Sequence, residues 1–104
     1  MFEVTFVIHA DQSRSREDAL EYWRTVHSKV VLKIPGVRRY LQGATFLGEG
    51  KPPFLGIAVL AFDHEIAFVD ATATPEFAAA VQDVANFADP SSLPTFVLNE
   101  VSAS

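Results

Sequence analysis

Apolar and polar residues alternate over residues 2–9, whose sequence is FEVTFVIH. Phe2, Val4, Phe6 and Ile8 share one side of this segment, and β-branched and aromatic residues at a period of two are typical of a strand. The pattern therefore predicts a β-strand over these residues.

The apolar period changes to three or four residues after Ser15, which indicates a helix over residues 15–33. The hydroxyl of Ser15 at the N-cap and the carboxylate of Asp18 at the third helical position form a variant of the capping box. One apolar face follows from the spacing of Ala19, Trp23, Val26, Val30 and Ile34. The Pro35-Gly36 pair ends the helix, and Gly36 is expected to supply the positive φ of a type II turn.

Three further segments have the composition of strands. Residues 37–47 predict the second strand, in which Gly43 is a candidate bulge. Residues 54–62 (FLGIAVLAF) are apolar on both faces and predict a third strand that is central or covered on both sides. Residues 93–101 predict the last strand.

Two helical segments lie between the third strand and the last. Asp63 is a candidate N-cap for a short helix over residues 64–71. Thr74 begins the next helix with a capping side chain, followed by proline at the first helical position, and this helix is expected to run to about residue 87.

The predicted order of elements is β-α-β-β-α-β, which is the ferredoxin-like α+β pattern. Such a domain has a four-stranded antiparallel sheet with both helices on one face. The apolar character of both faces of the third strand indicates that a second sheet covers the other face, and a homodimer would supply one. We therefore expect a single domain over residues 1–104 that pairs with a second copy of itself.

Composition limits the location and the chemistry of the protein. The 104 residues contain no cysteine, which excludes disulfides, thiolate zinc sites and cysteine nucleophiles. The residues after Met1 lack the basic and apolar regions of a secretory signal, so we expect a cytoplasmic protein. The longest apolar run, residues 54–62, is about half of a membrane span, so no membrane partner is expected.

Charge is distributed unevenly along the chain. The net charge of −5 argues against a nucleic-acid partner, because phosphate binding needs clustered Lys and Arg. Residues 1–51 carry all eight Lys and Arg beside six acids, whereas residues 52–104 carry seven acids and no Lys or Arg. The two halves would attract each other if they pack together, although chance in a short chain explains the asymmetry equally well.

Residues 15–42 carry a specific resemblance to the EthD-like family. They begin SREDALEYWRTVHSK and continue through a Pro-Gly turn to VRRYLQ. The positions that match the family's pattern are Tyr22, Trp23, His27, Pro35, Gly36, Arg39 and Tyr40. The likeness continues in the segments GIAVLAFD, TPEF and QDVANFAD, but Val59 stands where many members carry a carboxylate.

The resemblance implies a dimeric α+β barrel in which each subunit has a cavity between the sheet and the helices. Relatives in the wider superfamily include muconolactone isomerases and enzymes that cyclise or decarboxylate polyketides. The founding members are associated with the breakdown of ethyl tert-butyl ether. A mechanism that needs an acid at the position of Val59 is in doubt, and because one fold supports many functions, the activity has to be argued from the site.

His27 and Tyr40 are the candidate catalytic residues. His27 follows Trp23 by one helical turn, and a histidine at the edge of an apolar pocket can act as a general acid or base near neutral pH. Tyr40 lies on the strand beside that helix, where a phenol could donate to a developing enolate. The structural alternatives are a histidine that binds a backbone carbonyl and a tyrosine that packs across strands with its hydroxyl at the surface.

Five other side chains are candidates for binding a substrate: Phe6, Tyr22, Trp23, Arg39 and Phe46. The aromatic residues would line a pocket that suits an apolar or aromatic ligand. Arg39 could hold a carboxylate of the substrate, although it and Arg38 could instead pair with the acidic C-terminal half.

Motifs of several other classes of site are missing. The three histidines are not closely spaced and are not accompanied by cysteine, so they give no metal signature. There is also no glycine-rich phosphate loop and no G-x-S-x-G nucleophile elbow. We therefore expect chemistry that uses no metal and no cofactor.

The leading hypothesis is a cofactor-independent lyase or isomerase that decarboxylates, cyclises or isomerises a small hydrophobic carbonyl or phenolic metabolite. His27 would move the proton, and Tyr40 would stabilise the developing negative charge. One alternative is a non-catalytic protein that binds a small hydrophobic ligand or assists an enzyme of a degradation pathway. Another is a haem-degrading monooxygenase, which needs an axial histidine and a cavity wide enough for haem.

Overall fold

A computed structural model of the chain describes residues 1–44, 53–90 and 96–100. In chain order the elements are β1 (Phe2–His9), α1 (Arg16–Tyr22), a π-helical turn (Trp23–His27), α2 (Ser28–Val31), β2 (Arg39–Ala44), β3 (Phe54–Phe62), α3 (Glu65–Thr72), α4 (Pro75–Asp83), a 3₁₀ turn (Val84–Asn86) and β4 (Phe96–Glu100). The ferredoxin-like order is confirmed, with α1, the π turn and α2 forming one helix. In the described ranges, no helix has both the length and the apolar character that a membrane span requires.

The strands form one antiparallel sheet in the order β2-β3-β1-β4. Its register shifts between Ile8 and His9 in β1. The bulge predicted at Gly43 is wrong, because Gly43 pairs in regular register with Ile57. Close approach instead requires glycine on the neighbouring strand, at Gly56, where a Cβ would collide with the carbonyl oxygen of Gly43.

Local capping chemistry begins and ends the helices largely where the sequence predicts. The Ser15 side chain accepts a hydrogen bond from the Asp18 N–H at 3.4 Å and caps α1. The Thr74 hydroxyl accepts from the Phe77 N–H at 3.2 Å and caps α4. Gly36 has a φ of 87°, which confirms the left-handed turn that ends the first helix.

The predicted cap of α3 is wrong by one residue. His64, rather than Asp63, is the N-cap, and its Nδ1 accepts from the Ala67 N–H at 3.2 Å. The Asp63 carboxylate is instead engaged by the Arg38 guanidinium, with Nη2 3.0 Å from Oδ2. This ion pair joins the basic first half of the chain to the acidic second half, as expected for Arg38.

The two faces of the sheet have different environments. The helices before β2 and those between β3 and β4 cover the same face of the sheet. On this face Val4 and Phe62 are fully buried, and Leu60 packs beside them. On the opposite face Leu41 and Ile57 are 45% and 44% exposed. The helical side therefore contains the core, and the other side has an apolar surface that the described residues leave open to solvent.

Candidate active site

The helix that carries Trp23 and His27 contains a single π-helical turn. In this turn the Ser28 N–H donates to the Trp23 carbonyl, five residues earlier, and the Ser28 hydroxyl donates to the Arg24 carbonyl at 2.6 Å. Both Trp23 and His27 lie on the buried side of the turn, and His27 is 5% exposed. Isolated π turns of this kind are frequent at functional sites.

His27 binds a carboxylate that follows it by 56 residues. Its Nδ1 lies 2.8 Å from Oδ2 of Asp83, at the end of α4. The other carboxylate oxygen, Oδ1, accepts from the Tyr22 hydroxyl at 2.7 Å and from the Asn86 amide at 2.9 Å. The partner of His27 is thus a carboxylate held by two further donors, and not the backbone carbonyl of the structural alternative.

This network determines which nitrogen of His27 carries the proton. Burial opposes the negative charge of Asp83, but its three hydrogen bonds outweigh burial and lower the pKa of the carboxyl. An ionised carboxylate only accepts hydrogen bonds, so Nδ1 of His27 must be the protonated nitrogen. Burial lowers the pKa of His27, and the Asp83 carboxylate compensates only in part. The ring is therefore neutral near pH 7, and its Nε2 is an acceptor.

Phe87 supports the ring of His27 from the end of the 3₁₀ turn. The centroid of its ring lies 4.8 Å from that of His27, 5.6 Å from that of Tyr22 and 6.4 Å from that of Trp23. Phe87 itself is 1% exposed. Side chains whose neighbours are packed in this way have few alternative rotamers, so the orientation of His27 is defined by both packing and hydrogen bonding.

A cavity of about 40 Å³ lies between the sheet and the helices, beside His27. Its polar residues are His27 and Tyr40, and its apolar lining includes Phe6, Val31, Ile34, Leu60 and Phe77. This volume holds a few atoms of a ligand rather than a whole metabolite. Val81 lies at its edge and is 37% exposed, so a larger molecule would place only its reacting end inside.

Tyr40 contributes the second polar group of the cavity. Its hydroxyl oxygen accepts from Nε2 of Gln42 at 2.8 Å. Burial raises the pKa of Tyr40, and the Gln42 amide and the Trp23 indole act in the opposite direction. The phenol is therefore protonated at neutral pH and retains an O–H that it can donate.

The structure brings three of the seven predicted site residues together. His27, Tyr40 and Phe6 line the same cavity. The side chain of Tyr22 lines a separate groove of about 360 Å³ and binds Asp83. Trp23 packs in the core against Phe87, and its buried indole N–H has no well-aligned partner among the described residues.

The other two predicted residues are Arg39, which lies away from the cavity, and Phe46. Arg39 is exposed, and its neighbour in β2, Tyr40, occupies the face of the sheet that the helices cover. Because successive residues of a strand point to opposite faces, Arg39 lies on the face away from the cavity. Phe46 lies outside the described residues.

Asp83 is the residue of the candidate site that sequence reasoning missed. Ala80, Val84 and Phe87 are buried at helical spacing, and Asp83 falls within the same stripe. A carboxylate among buried positions needs partners, so its place in the stripe was a usable signal. Val59 pairs with Thr5 and Leu41 and belongs to the sheet face away from the cavity, so a carboxylate at its position would not line this cavity.

Comparison with known proteins identifies the family. The family model described as "EthD domain" matches residues 11–91. The chain belongs to the EthD domain family. A relative occurs in Rhodococcus erythropolis: an uncharacterized 11.0 kDa protein of the thcB-thcC intergenic region is 34% identical over 89 residues, covering 85% of this chain and 84% of the relative.

Solved structures support the same fold for this EthD chain. An ethyl tert-butyl ether D (EthD) family protein from Bacillus halodurans superposes with a TM-score of 0.78 at 20% identity, covering 98% of this chain and 99% of that one. A dimeric ferredoxin-like protein of unknown function from Thermobifida fusca superposes with a TM-score of 0.62 at 23% identity, covering 94% and 86%. At these identities the structures establish the ferredoxin-like α+β fold, and the site has to be argued from its own residues.

The lowered pKa of His27 predicts how stability depends on pH. In the unfolded chain His27 takes up a proton near its ordinary pKa of 6.5, whereas in the folded chain it does so only at a lower pH. The stability that the neutral ring contributes is therefore complete above pH 6.5 and is lost as the pH falls through the lower pKa of the folded chain. Urea unfolding between pH 7 and pH 5 should show this loss. His27→Gln, which retains a donor for Asp83 but does not titrate, should have a shallower slope over the same range, and an unchanged slope would contradict the assignment.

Proposed function

We propose that this EthD chain is a cofactor-independent lyase or isomerase that acts on a small, uncharged, hydrophobic carbonyl or phenolic compound. The observation that carries the proposal is the meeting of a neutral His27, oriented by Asp83, with Tyr40 in one apolar cavity. No Lys, Arg, Asp or Glu lines that cavity among the described residues, so it offers no partner for a charged substrate.

The two polar groups supply complementary steps. Nε2 of His27 accepts a proton from the carbon beside the carbonyl, and the electron pair of that C–H bond moves onto the carbonyl oxygen. The Tyr40 O–H donates to the oxygen as its negative charge develops. General-base catalysis by a positioned side chain is worth roughly 10² to 10⁴ in rate, and one donor at the developing oxyanion adds roughly 10² to 10³.

The fate of the enolate defines the reaction class. Return of the proton from His27 to a different carbon completes an isomerisation. Attack of the enolate on a second carbonyl of the same molecule, followed by return of the proton from His27 to the alkoxide that forms, completes a cyclisation. Both need an apolar, water-poor cavity because an enolate in bulk water is protonated quickly, and the buried aliphatic and aromatic lining around His27 supplies one.

Proton exchange in benzoylacetone tests this function directly. The compound is an uncharged aryl diketone with an acidic carbon between its carbonyls, so it matches both polar groups of the cavity. We expect the purified chain, without added metal, to accelerate deuterium exchange at that carbon, measured by NMR. Binding of benzoylacetone without acceleration would favour the second candidate, a non-catalytic carrier, for which the shortage of polar groups in the cavity is the supporting observation.

A haem-degrading activity fits the cavity poorly. A histidine held through Nδ1 by Asp83 has the correct nitrogen available for iron, but a cavity of about 40 Å³ beside the ring admits a few atoms and not the centre of a macrocycle, where the iron lies. Titration with haem should give no Soret band of a histidine-ligated complex. A band that disappears in His27→Ala would reverse this conclusion.

We further propose that two copies pair through the sheet face that the helices leave open. Leu41 and Ile57 form an apolar surface there, and the neighbour from Thermobifida fusca is described as dimeric. Sedimentation should give twice the mass of the chain, and Ile57→Glu should shift it to one chain. Ile66→Glu, the same change on a 67% exposed position of α3, should leave the dimer intact. A well-folded monomer at all concentrations of the unaltered chain would overturn the proposal.

A further inference from the structure

Gln42 makes two hydrogen bonds through a single nitrogen. Its Nε2 lies 2.8 Å from the carbonyl oxygen of Trp23 and 2.8 Å from the hydroxyl oxygen of Tyr40. Gln42 lies two residues after Tyr40 in β2, on the same face of the sheet. It thus joins the π turn to the phenol that lines the cavity.

The chemistry of these partners fixes the direction of both hydrogen bonds. A backbone carbonyl only accepts, so the atom of Gln42 that faces Trp23 must be the amide nitrogen and not the amide oxygen. An amide nitrogen carries two hydrogens, of which one goes to the Trp23 carbonyl and the other to Tyr40. The Tyr40 oxygen is therefore the acceptor in this pair, and its own hydrogen has to point elsewhere.

The indole of Trp23 strengthens this directional effect. Its N–H is a donor only, is buried, and has no well-aligned partner among the described residues. It favours the phenolate form of Tyr40, as the Gln42 amide does. Among the described residues, both side chains that lower the pKa of Tyr40 are thus donors, and neither can accept the Tyr40 hydrogen.

We infer that Gln42 is a positioning residue that directs the Tyr40 O–H into the cavity and so makes Tyr40 a donor to a ligand oxygen. This inference rests on the proposed function and deepens it. With the proton of His27 held on Nδ1 by Asp83, the cavity then presents one acceptor and one donor. It selects an uncharged ligand that has both a carbonyl oxygen and a proton to give, and disfavours an ether, which has no such acidic proton.

Two substitutions at Gln42 distinguish an effect on the direction of the Tyr40 O–H from an effect on packing. Gln42→Glu keeps the shape but replaces the amide donor with a carboxylate, which accepts the Tyr40 hydrogen and withdraws it from the cavity. Gln42→Leu removes the donor without supplying an acceptor. Gln12→Glu, the same chemical change in the exposed loop after β1, is the matched control for added charge.

The pKa of Tyr40 is the readout that needs no substrate. It is measured by ultraviolet titration of each variant against the same variant with Tyr40→Phe, with circular dichroism to verify folding. Both Gln42 variants should raise the pKa of Tyr40 above that of the unaltered chain, with the larger rise for Gln42→Glu, and Gln12→Glu should not change it. A pKa of Tyr40 that is unchanged in folded Gln42→Glu would overturn the inference.

Proton exchange in benzoylacetone gives the second readout. Gln42→Leu should lower kcat roughly fivefold to tenfold, the effect of one neutral hydrogen bond, and Gln42→Glu should lower it as far as Tyr40→Phe does, roughly 100-fold. Wild-type kcat in Gln42→Glu would also overturn the inference. If the unaltered chain catalyses no exchange, the proposed function fails, whereas the titration of Tyr40 still decides the role of Gln42.

Discussion

Replacement of His27 with alanine is expected to slow proton exchange in benzoylacetone roughly 10²- to 10⁴-fold, the full contribution of a positioned general base. The ring is buried, its Nδ1 is engaged by Asp83, and Nε2 is the remaining nitrogen for a ligand in the cavity. The loss should appear in kcat, because the apolar lining that binds the ligand is unchanged. NMR exchange rates at several benzoylacetone concentrations separate kcat from KM.

Two variants show whether the loss is specific. His64→Ser changes a histidine at the N-cap of α3 to another capping residue and should retain the full rate. Asp83→Asn should retain the fold but lower the pKa of His27 further, since it removes the charge that favours the protonated ring. Full activity in folded His27→Ala would show that the histidine is structural.

Replacement of Phe87 with alanine is expected to lower the free energy of unfolding by about 3–5 kcal/mol. Phe87 is fully buried and contacts the rings of Tyr22, Trp23 and His27, so its removal leaves a cavity lined by groups that are tied by other interactions. The rings of Tyr22 and His27 cannot collapse into the space without breaking their hydrogen bonds to Asp83. Urea unfolding at one fixed protein concentration measures the change.

The control for Phe87 is an apolar residue that is exposed. Ile66→Ala in α3 should change the free energy of unfolding by no more than about 0.5 kcal/mol, because Ile66 is 67% exposed. A loss below about 1 kcal/mol for Phe87→Ala would mean that the ring does not support the site. His27→Ala and Phe87→Ala together separate a chemical role from a packing role in the same cluster.

Features that depend on neighbouring residues were predictable from the sequence. The caps at Ser15 and Thr74 and the left-handed Gly36 follow from side chains or backbone freedom within three residues. The misplaced cap of α3 has a distant cause: Asp63 and His64 are both able to cap, but Arg38, 25 residues before Asp63, binds that carboxylate, and His64 caps the helix.

The partners of the candidate site could be predicted only in part. The sequence identified His27 and Tyr40, but Asp83 is 56 residues from His27 and meets it only because α4 packs against the helix that contains the π turn. The sequence predicted both Arg39 and Tyr40 as site residues, although neighbouring residues of a strand point to opposite faces, and it did not show which face the helices cover. The structure answers this and separates Trp23, which is core, from the cavity.

The most direct test of the account is the tautomer of His27, read from ¹⁵N chemical shifts of the imidazole at pH 7.5. We expect a neutral ring with the proton on Nδ1 and an unprotonated Nε2, because the Asp83 carboxylate accepts from Nδ1. A ring that is protonated on Nε2 alone, or on both nitrogens, would present no base to the cavity and would contradict the proposed function.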